Sequence, residues 1–246
     1  MSGAIQIVPA KSRMHTEIDW LDSWHSFSFG EHYDPANTHH GLLLVSNDDV
    51  VARGRGFGMH GHRDMEIVTW VLDGALRHQD GIGTDDVITP GLAQRMSAGT
   101  GIRHSEMNAN ATERVHLVQM WVPPDTPGLA PDYEQRDVSE RLAAGGLFAL
   151  ASGGRAPDAA ITIHQRDATL WVGRLEPGAA VEIPDAPFVH VFVARGSAGV
   201  SPPGSDPDIS LAEGDALRLT AAGALPLVAG AEGAEILIWE THAELR

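Results

Sequence analysis

Short apolar runs separated by Gly, Pro, Asn and Asp recur along the whole chain. They are GLLLV from Gly41, EIVTWVL from Glu66, RVHLVQMWV from Arg114, ITIH from Ile161, TLWVGRL from Thr169, FVHVFVA from Phe188 and EILIWE from Glu235. Each has the length of a strand rather than of a helix, and the spacing of the intervening turn residues predicts an all-β sandwich or barrel. Several runs are apolar at both odd and even positions. A strand of that kind is covered on both faces.

The main break in this pattern is Trp121–Asp158, which begins Pro-rich, carries a short helical stretch near Asp137–Ala144 and ends Gly-rich. It predicts a connection between two β units: an N-terminal barrel over residues 1–135, a connection over 136–158 and a C-terminal barrel over 159–246. The second unit echoes the first in its order of strands and turns, through LWVGRLEPGAAVEI, VHVFVARGSAGV and LAEGDALRLT.

Composition narrows the function classes. The chain has 246 residues and a net charge of −16, which argues against direct contact with nucleic acid or an anionic membrane surface, because both need a basic face. There is no cysteine, so a disulfide framework, a thiolate metal site and a thiol nucleophile are all excluded, and any metal must be held by nitrogen and oxygen. The opening MSGAIQIVPAKSR has no apolar core of a signal segment, and the expectation is a cytoplasmic protein.

The chemistry concentrates in GRGFGMHGHRDMEIVTWVLDG, residues 54–74. On a strand His60 and His62 project from one face, and Glu66 shares their parity. With 13 histidines in the chain, an H-x-H pair arises by chance roughly 0.7 times, so the pair alone is weak. A second pair, His104 and Glu106 in AGTGIRHSEMN, strengthens it. Two such pairs on neighbouring antiparallel strands can converge on one interior point. Three imidazoles and a carboxylate suit a first-row divalent ion with positions left for substrate or dioxygen, and zinc tolerates the same donors.

The pattern Gly54-x5-His60-x-His62-x3-Glu66 resembles the first cupin motif, and Gly101-x2-His104-x3-Asn108 the end of the second. Gly74 falls one residue later than the motif expects, and Gly99 stands where proline is usual. More specifically, DWLDSWHSFSFGEHYDP, GMHGHRDMEIVTWVLDG, MSAGTGIRHSEMN and PDYEQ resemble the pirin family, over about residues 13–138. That resemblance implies a bicupin: two antiparallel cupin-type β-barrels with few short helices, the second without metal. It implies one divalent ion per chain, Fe(II) first and Mn, Ni, Co, Cu or Zn as alternatives, held by His60, His62, His104 and Glu106. Glu66 is implied to stand outside this set, hydrogen-bonding around it. The activity implied is that of a quercetin 2,3-dioxygenase, opening the heterocycle of a flavonol with O2; a carboxylate near the ion can accept the substrate's 3-hydroxyl proton, and Glu106 can do so with one oxygen free of the metal. The alternative it permits is a metal-holding redox sensor without turnover that works through a protein partner.

Other candidates carry less. Asp22, His25 and Ser26 lack any spacing that would make them a triad, which geometry and not sequence adjacency defines. His39 and His40 are expected on a loop, at most near the pocket entrance. GRGFG lacks the strand-then-helix context and the lysine of a phosphate loop. Trp70, Trp121, Met96 and Met120 are read as core, with a few available to wall an aromatic ligand. The second unit has only His164, His190 and His242, so it cannot repeat the site, and His190 is read as structural.

Overall fold

The computed structural model describes residues 3–204 and 208–245. Among them the only helices are Ser139–Ala143 and a 3-10 turn at Ala10–Ser12, within the stretch expected to carry a helix and near the amino terminus. Among the described residues no helix is long and apolar enough to cross a membrane. Strands joined by turns and loops make up the other described residues, arranged as two cupin-type barrels.

The first barrel sets a four-stranded sheet against a seven-stranded one. The four-stranded sheet runs Gly56–His62, Ile102–Asn108, Leu76–Asp80, Asp85–Ile88 in spatial order. At the centre of the other lies Val115–Val122, between Glu66–Asp73 and Val45–Val51. The second barrel is one nine-stranded sheet whose long strands Phe188–Val200 and Leu225–Thr241 pass from one wall to the other. Irregularities at Val193/Arg195 and Gly196/Ala198 break the register between them. Bulges of this kind bend a strand without ending it.

The two-parity apolar runs are explained by where their two faces go. Along Val115–Val122, Val118, Met120 and Val122 join one large apolar cluster that also holds Leu150, Leu170, Phe192, Leu237 and Trp239 of the second barrel. Trp70 is in the same cluster and donates from Nε1 to Glu235 across the boundary at 2.7 Å. The opposite face, Leu117, Gln119 and Trp121, turns into the first barrel.

Two expectations need amendment. Residues 1–135 do not all build the first barrel, because Ala4–Val8 pairs antiparallel with Ala216–Thr220 in the sheet of the second. That pairing covers a sheet edge that would otherwise expose its backbone groups, and it needs no apolar pattern in the strand. The run GLLLV is also not the strand it resembles: the strand is Val45–Val51, VSNDDVV, with polar Asn47 and Asp49 among its buried positions. An apolar period fails there because the barrel interior is itself polar. Gly99 likewise has a local reason. Its φ is +46°, which proline cannot adopt, and a Cβ there would lie 2.1 Å from the Leu129 carbonyl oxygen.

Candidate metal centre and pocket

Gly56–His62 and Ile102–Asn108 are antiparallel neighbours, and His60 stands directly opposite His104. Opposed residues present their side chains on the same face, so the two rings meet, with centroids 4.4 Å apart. His62 joins them, at 4.8 Å from His60 and 4.9 Å from His104. One nitrogen from each of the three lies within 4.8 Å of the other two. The register slips between His104 and Glu106, so that Glu106 opposes Phe57. The backbones approach closely at this point: a Cβ on Gly56 would sit 2.2 Å from the Glu106 carbonyl. That is the local role of one glycine in GRGFG.

The nitrogen atoms are prepared as lone-pair donors. His60 donates from Nδ1 to the Gly58 carbonyl at 2.7 Å, which leaves its Nε2 unprotonated when the ring is neutral. The Nε2 atoms of His62 and His104 are buried without a hydrogen-bond partner. Burial, reinforced by the neighbouring imidazoles, lowers the pKa of His62 to about 4 and that of His104 to about 3. Both rings are therefore neutral near pH 7. A buried nitrogen with no partner is costly unless something accepts its lone pair.

Glu106 is placed differently. Both of its oxygens accept from the Gln119 amide, at 2.9 and 2.8 Å, and Trp121 donates from Nε1 to the Gln119 oxygen at 3.0 Å, fixing which way the amide points. Glu106 falls within the 4.8 Å reach of His104 and His78 rather than in the three-histidine group. The two groups share His104. In the second, however, His78 has both nitrogens engaged, one with His104 and one with Asp80. Unpartnered donors thus favour the three-histidine group, with Glu106 beside it.

Glu66 does not share the face that its parity suggests. Asp64 adopts a positive φ of 46° and ends the first strand at His62, so the alternation restarts at Glu66. The Glu66 carboxylate instead accepts from Ser97 Oγ at 2.7 Å and from the His164 backbone N–H at 3.0 Å, tying the two halves of the chain together. It hydrogen-bonds no member of the histidine group.

His60, His62 and Glu106 open onto a cavity of about 980 Å³. Trp20, Phe29, Phe57 and Trp121 contribute its aromatic wall, whereas Trp70, Met96 and Met120 are fully buried core. The opposite wall is polar, and pattern reading missed it. His32 and His25 share the Thr16 hydroxyl at 3.0 and 2.9 Å, His25 Nδ1 lies 3.4 Å from Ser23 Oγ, and Ser23 donates to Asp49. Burial pushes the Asp49 carboxyl up to about 7. The proposed neighbours Asp22, His25 and Ser26 form no triad, since Asp22 pairs with His15 at 2.9 Å. Neither His39 nor His40 lines the cavity, and His40 Nε2 donates to the Leu219 carbonyl of the second barrel. His190 is buried against Phe27, and burial holds its pKa well below the usual histidine range.

Comparison with known proteins adds four facts. The Pirin family model matches residues 8–122. A Mycobacterium tuberculosis relative named "Putative quercetin 2,3-dioxygenase Rv0181c" is 56% identical over 100% of this chain and 98% of its own length. An Escherichia coli K12 relative named quercetin 2,3-dioxygenase is 52% identical over 54% of this chain and 57% of its own. Among solved structures, that of the bacterial pirin YhhW from E. coli in complex with nickel(II) superposes with a TM-score of 0.87. It is 36% identical, over 98% of this chain and 100% of that one.

Proposed function

The chain belongs to the pirin family, and on that footing we propose that it is a metal-dependent dioxygenase that opens the heterocycle of a flavonol or a related enolisable aromatic. The observation that carries this is the pair of buried, unpartnered Nε2 atoms on His62 and His104, set beside His60 at the end of an aromatic-walled cavity. The donor set fits a first-row divalent ion, which His60, His62 and His104 would hold with Glu106 as the fourth group. Fe(II) is our first assignment, and Mn, Ni, Co, Cu and Zn suit the same donors. Bound there, the ion would acidify a coordinated hydroxyl and provide the centre at which dioxygen reacts.

The protein's own part is binding and proton handling. A flavonol is flat and aromatic, and Trp20, Phe29, Phe57 and Trp121 provide surfaces against which it packs. Its outlying hydroxyls meet the polar wall of Thr16, Ser23, His25 and Asp49. Glu106 is the group placed to accept the 3-hydroxyl proton, because it is the carboxylate that both lines the cavity and adjoins His104. Gln119 holds that carboxylate by two hydrogen bonds, one of which is released as Glu106 turns to its substrate.

The test is incubation of iron-loaded protein with quercetin in air and under nitrogen, following the flavonol absorbance. Oxygen-dependent loss of absorbance is expected. Tight binding with no loss in air would contradict the enzyme reading and favour a metal-holding regulator.

A further inference from the structure

Leu76–Asp80 flanks Ile102–Asn108 on the side away from Gly56–His62, and its inward residues are His78 and Asp80. Neither belongs to the donor set proposed above, yet both side chains have no exposed surface. Asp80 Oδ2 accepts from His78 Nε2 at 3.1 Å, and His78 Nδ1 meets His104 Nδ1 at 3.4 Å. Asp80 Oδ1 is separately committed, accepting the backbone N–H groups of Ile82 at 3.0 Å and Thr84 at 2.9 Å. Tyr133 packs on the His78 ring at 4.9 Å and limits its rotation.

We infer that Asp80 and His78 form a relay that fixes the tautomer of His104, so that its Nε2 always presents a lone pair to the metal site. The reasoning is a parity argument over three groups. A carboxylate is an acceptor only, so the His78 nitrogen facing it carries the proton. The other nitrogen of a neutral His78 is then an acceptor. It faces His104 Nδ1, which must therefore carry the proton, and His104 Nε2 is left bare. The relay explains why that buried Nε2 has no partner while Nδ1 of the same ring does. It also makes His78 and Asp80 positioning residues, since they touch neither the proposed ion nor the substrate pocket. Outer hydrogen bonds that orient a ligating histidine are worth about 10–100-fold in metal affinity. Here the effect is passed through a second imidazole.

The inference rests on the proposed metal site, but its sharpest consequence does not require a metal. In metal-free protein, long-range nitrogen–proton NMR correlations should show His104 with its proton on Nδ1 and His78 with its proton on Nε2. The opposite tautomer on His104, or a mixture of the two, would overturn the relay whether or not the chain binds metal.

A pair of substitutions provides the second test, read as the Ni(II) dissociation constant of the full-length protein. In Asp80→Asn the retained oxygen still serves Ile82 and Thr84, so the amide NH2 occupies the Oδ2 place and donates toward His78. The parity of the relay inverts, His104 is driven to carry its proton on Nε2, and affinity should fall about 10–100-fold. Removing the middle member relieves that conflict. His78→Phe should weaken binding only a few-fold, and Asp80→Asn combined with His78→Phe should bind more tightly than Asp80→Asn alone. A packing defect predicts the reverse, with the double variant weakest, and that order would overturn the relay. So would an Asp80→Asn affinity within twofold of wild type. Complete loss of Ni(II) binding in His78→Phe would also overturn it, by placing His78 among the ligands. If wild-type protein bound no ion under any loading condition, the metal reading itself would fail, and the NMR result would still decide the relay.

Discussion

In the first barrel the inward positions of Val115–Val122 are Leu117, Gln119 and Trp121, while along Phe188–Val200 in the second they begin Val189, Val191 and Val193. The contrast extends to whole interiors. The second barrel encloses an aliphatic cluster that includes Leu175, Ile183, Leu217, Leu227, Ile236 and Ile238. The first confines its aliphatic packing to two smaller clusters, around Leu117 and around Met96. The cavity of the same barrel is lined by His62, Glu106, Gln119 and Asp49, with His104 buried beside His62. The lesson is physical. A buried polar group costs stability unless it is paired, so the ionisable groups inside this barrel call for partners or a ligand. Glu106 has Gln119, Asp49 has Ser23 and His78 has Asp80. The Nε2 atoms of His62 and His104 have none.

The largest way to break this contrast is to remove a donor. His104→Ala or His60→Ala is expected to reduce bound metal, measured by elemental analysis, to background and to abolish quercetin turnover. The circular dichroism spectrum should remain that of the folded chain, because the second barrel and the shared core are untouched. Glu106→Ala should also abolish turnover. Full activity of a metal-free Glu106→Ala protein would refute the proposed mechanism.

Next comes the converse experiment in the second barrel. Leu217→Ala or Ile238→Ala empties part of a fully packed cluster and should cost about 2–5 kcal/mol in chemical denaturation. The metal stoichiometry of the folded fraction should stay unchanged. Loss of metal at full folding would show that the two interiors are coupled in a way their packing does not display.

A smaller effect is expected at Gln119, which holds Glu106 without belonging to the donor set. Gln119→Leu removes the amide nitrogen that makes both hydrogen bonds to the carboxylate and should lower kcat about tenfold, with metal still bound.

The smallest effect on metal binding is expected at Asp49, whose signature is in pH dependence. Its folded pKa, about 7, lies above its unfolded value near 3.8. As pH rises from about 4 to about 7 the unfolded chain gives up this proton first, so stability falls across that window and levels off above it. Asp49→Asn should flatten that slope, raising Tm relative to wild type at pH 8 and leaving the two alike at pH 4. An unchanged slope in thermal melts would remove Asp49 from the account.

Much of the architecture was legible because burial imposes a pattern. Strands such as Glu66–Asp73 are covered on both faces and read as continuous apolar runs. Three of the proposed donors could be found because H-x-H on a strand shares a face by geometry alone, and His104 follows from its partner pair. What stayed hidden was set by tertiary context. Val45–Val51 is polar along one face because that face lines the cavity, so its sequence reads as a loop. Ala4–Val8 pairs through backbone groups, with Ile5 and Ile7 exposed, and a pattern of burial cannot reveal it. The parity linking Glu66 to His62 failed at a single residue, Asp64, whose left-handed backbone a side-chain pattern does not record. His78 and Asp80 form another i, i+2 pair, beside the first two, and their meaning depends on which strand lies next to them.

On the proposed reading the first barrel, and not the second, holds one divalent ion on its clustered imidazoles. Calorimetric titration of chelator-treated protein with Ni(II) tests it most directly, in wild type and in His104→Ala. One site per chain is expected in the wild type and none in the variant. Zero sites in the wild type, two sites per chain, or an undiminished site in His104→Ala would contradict it.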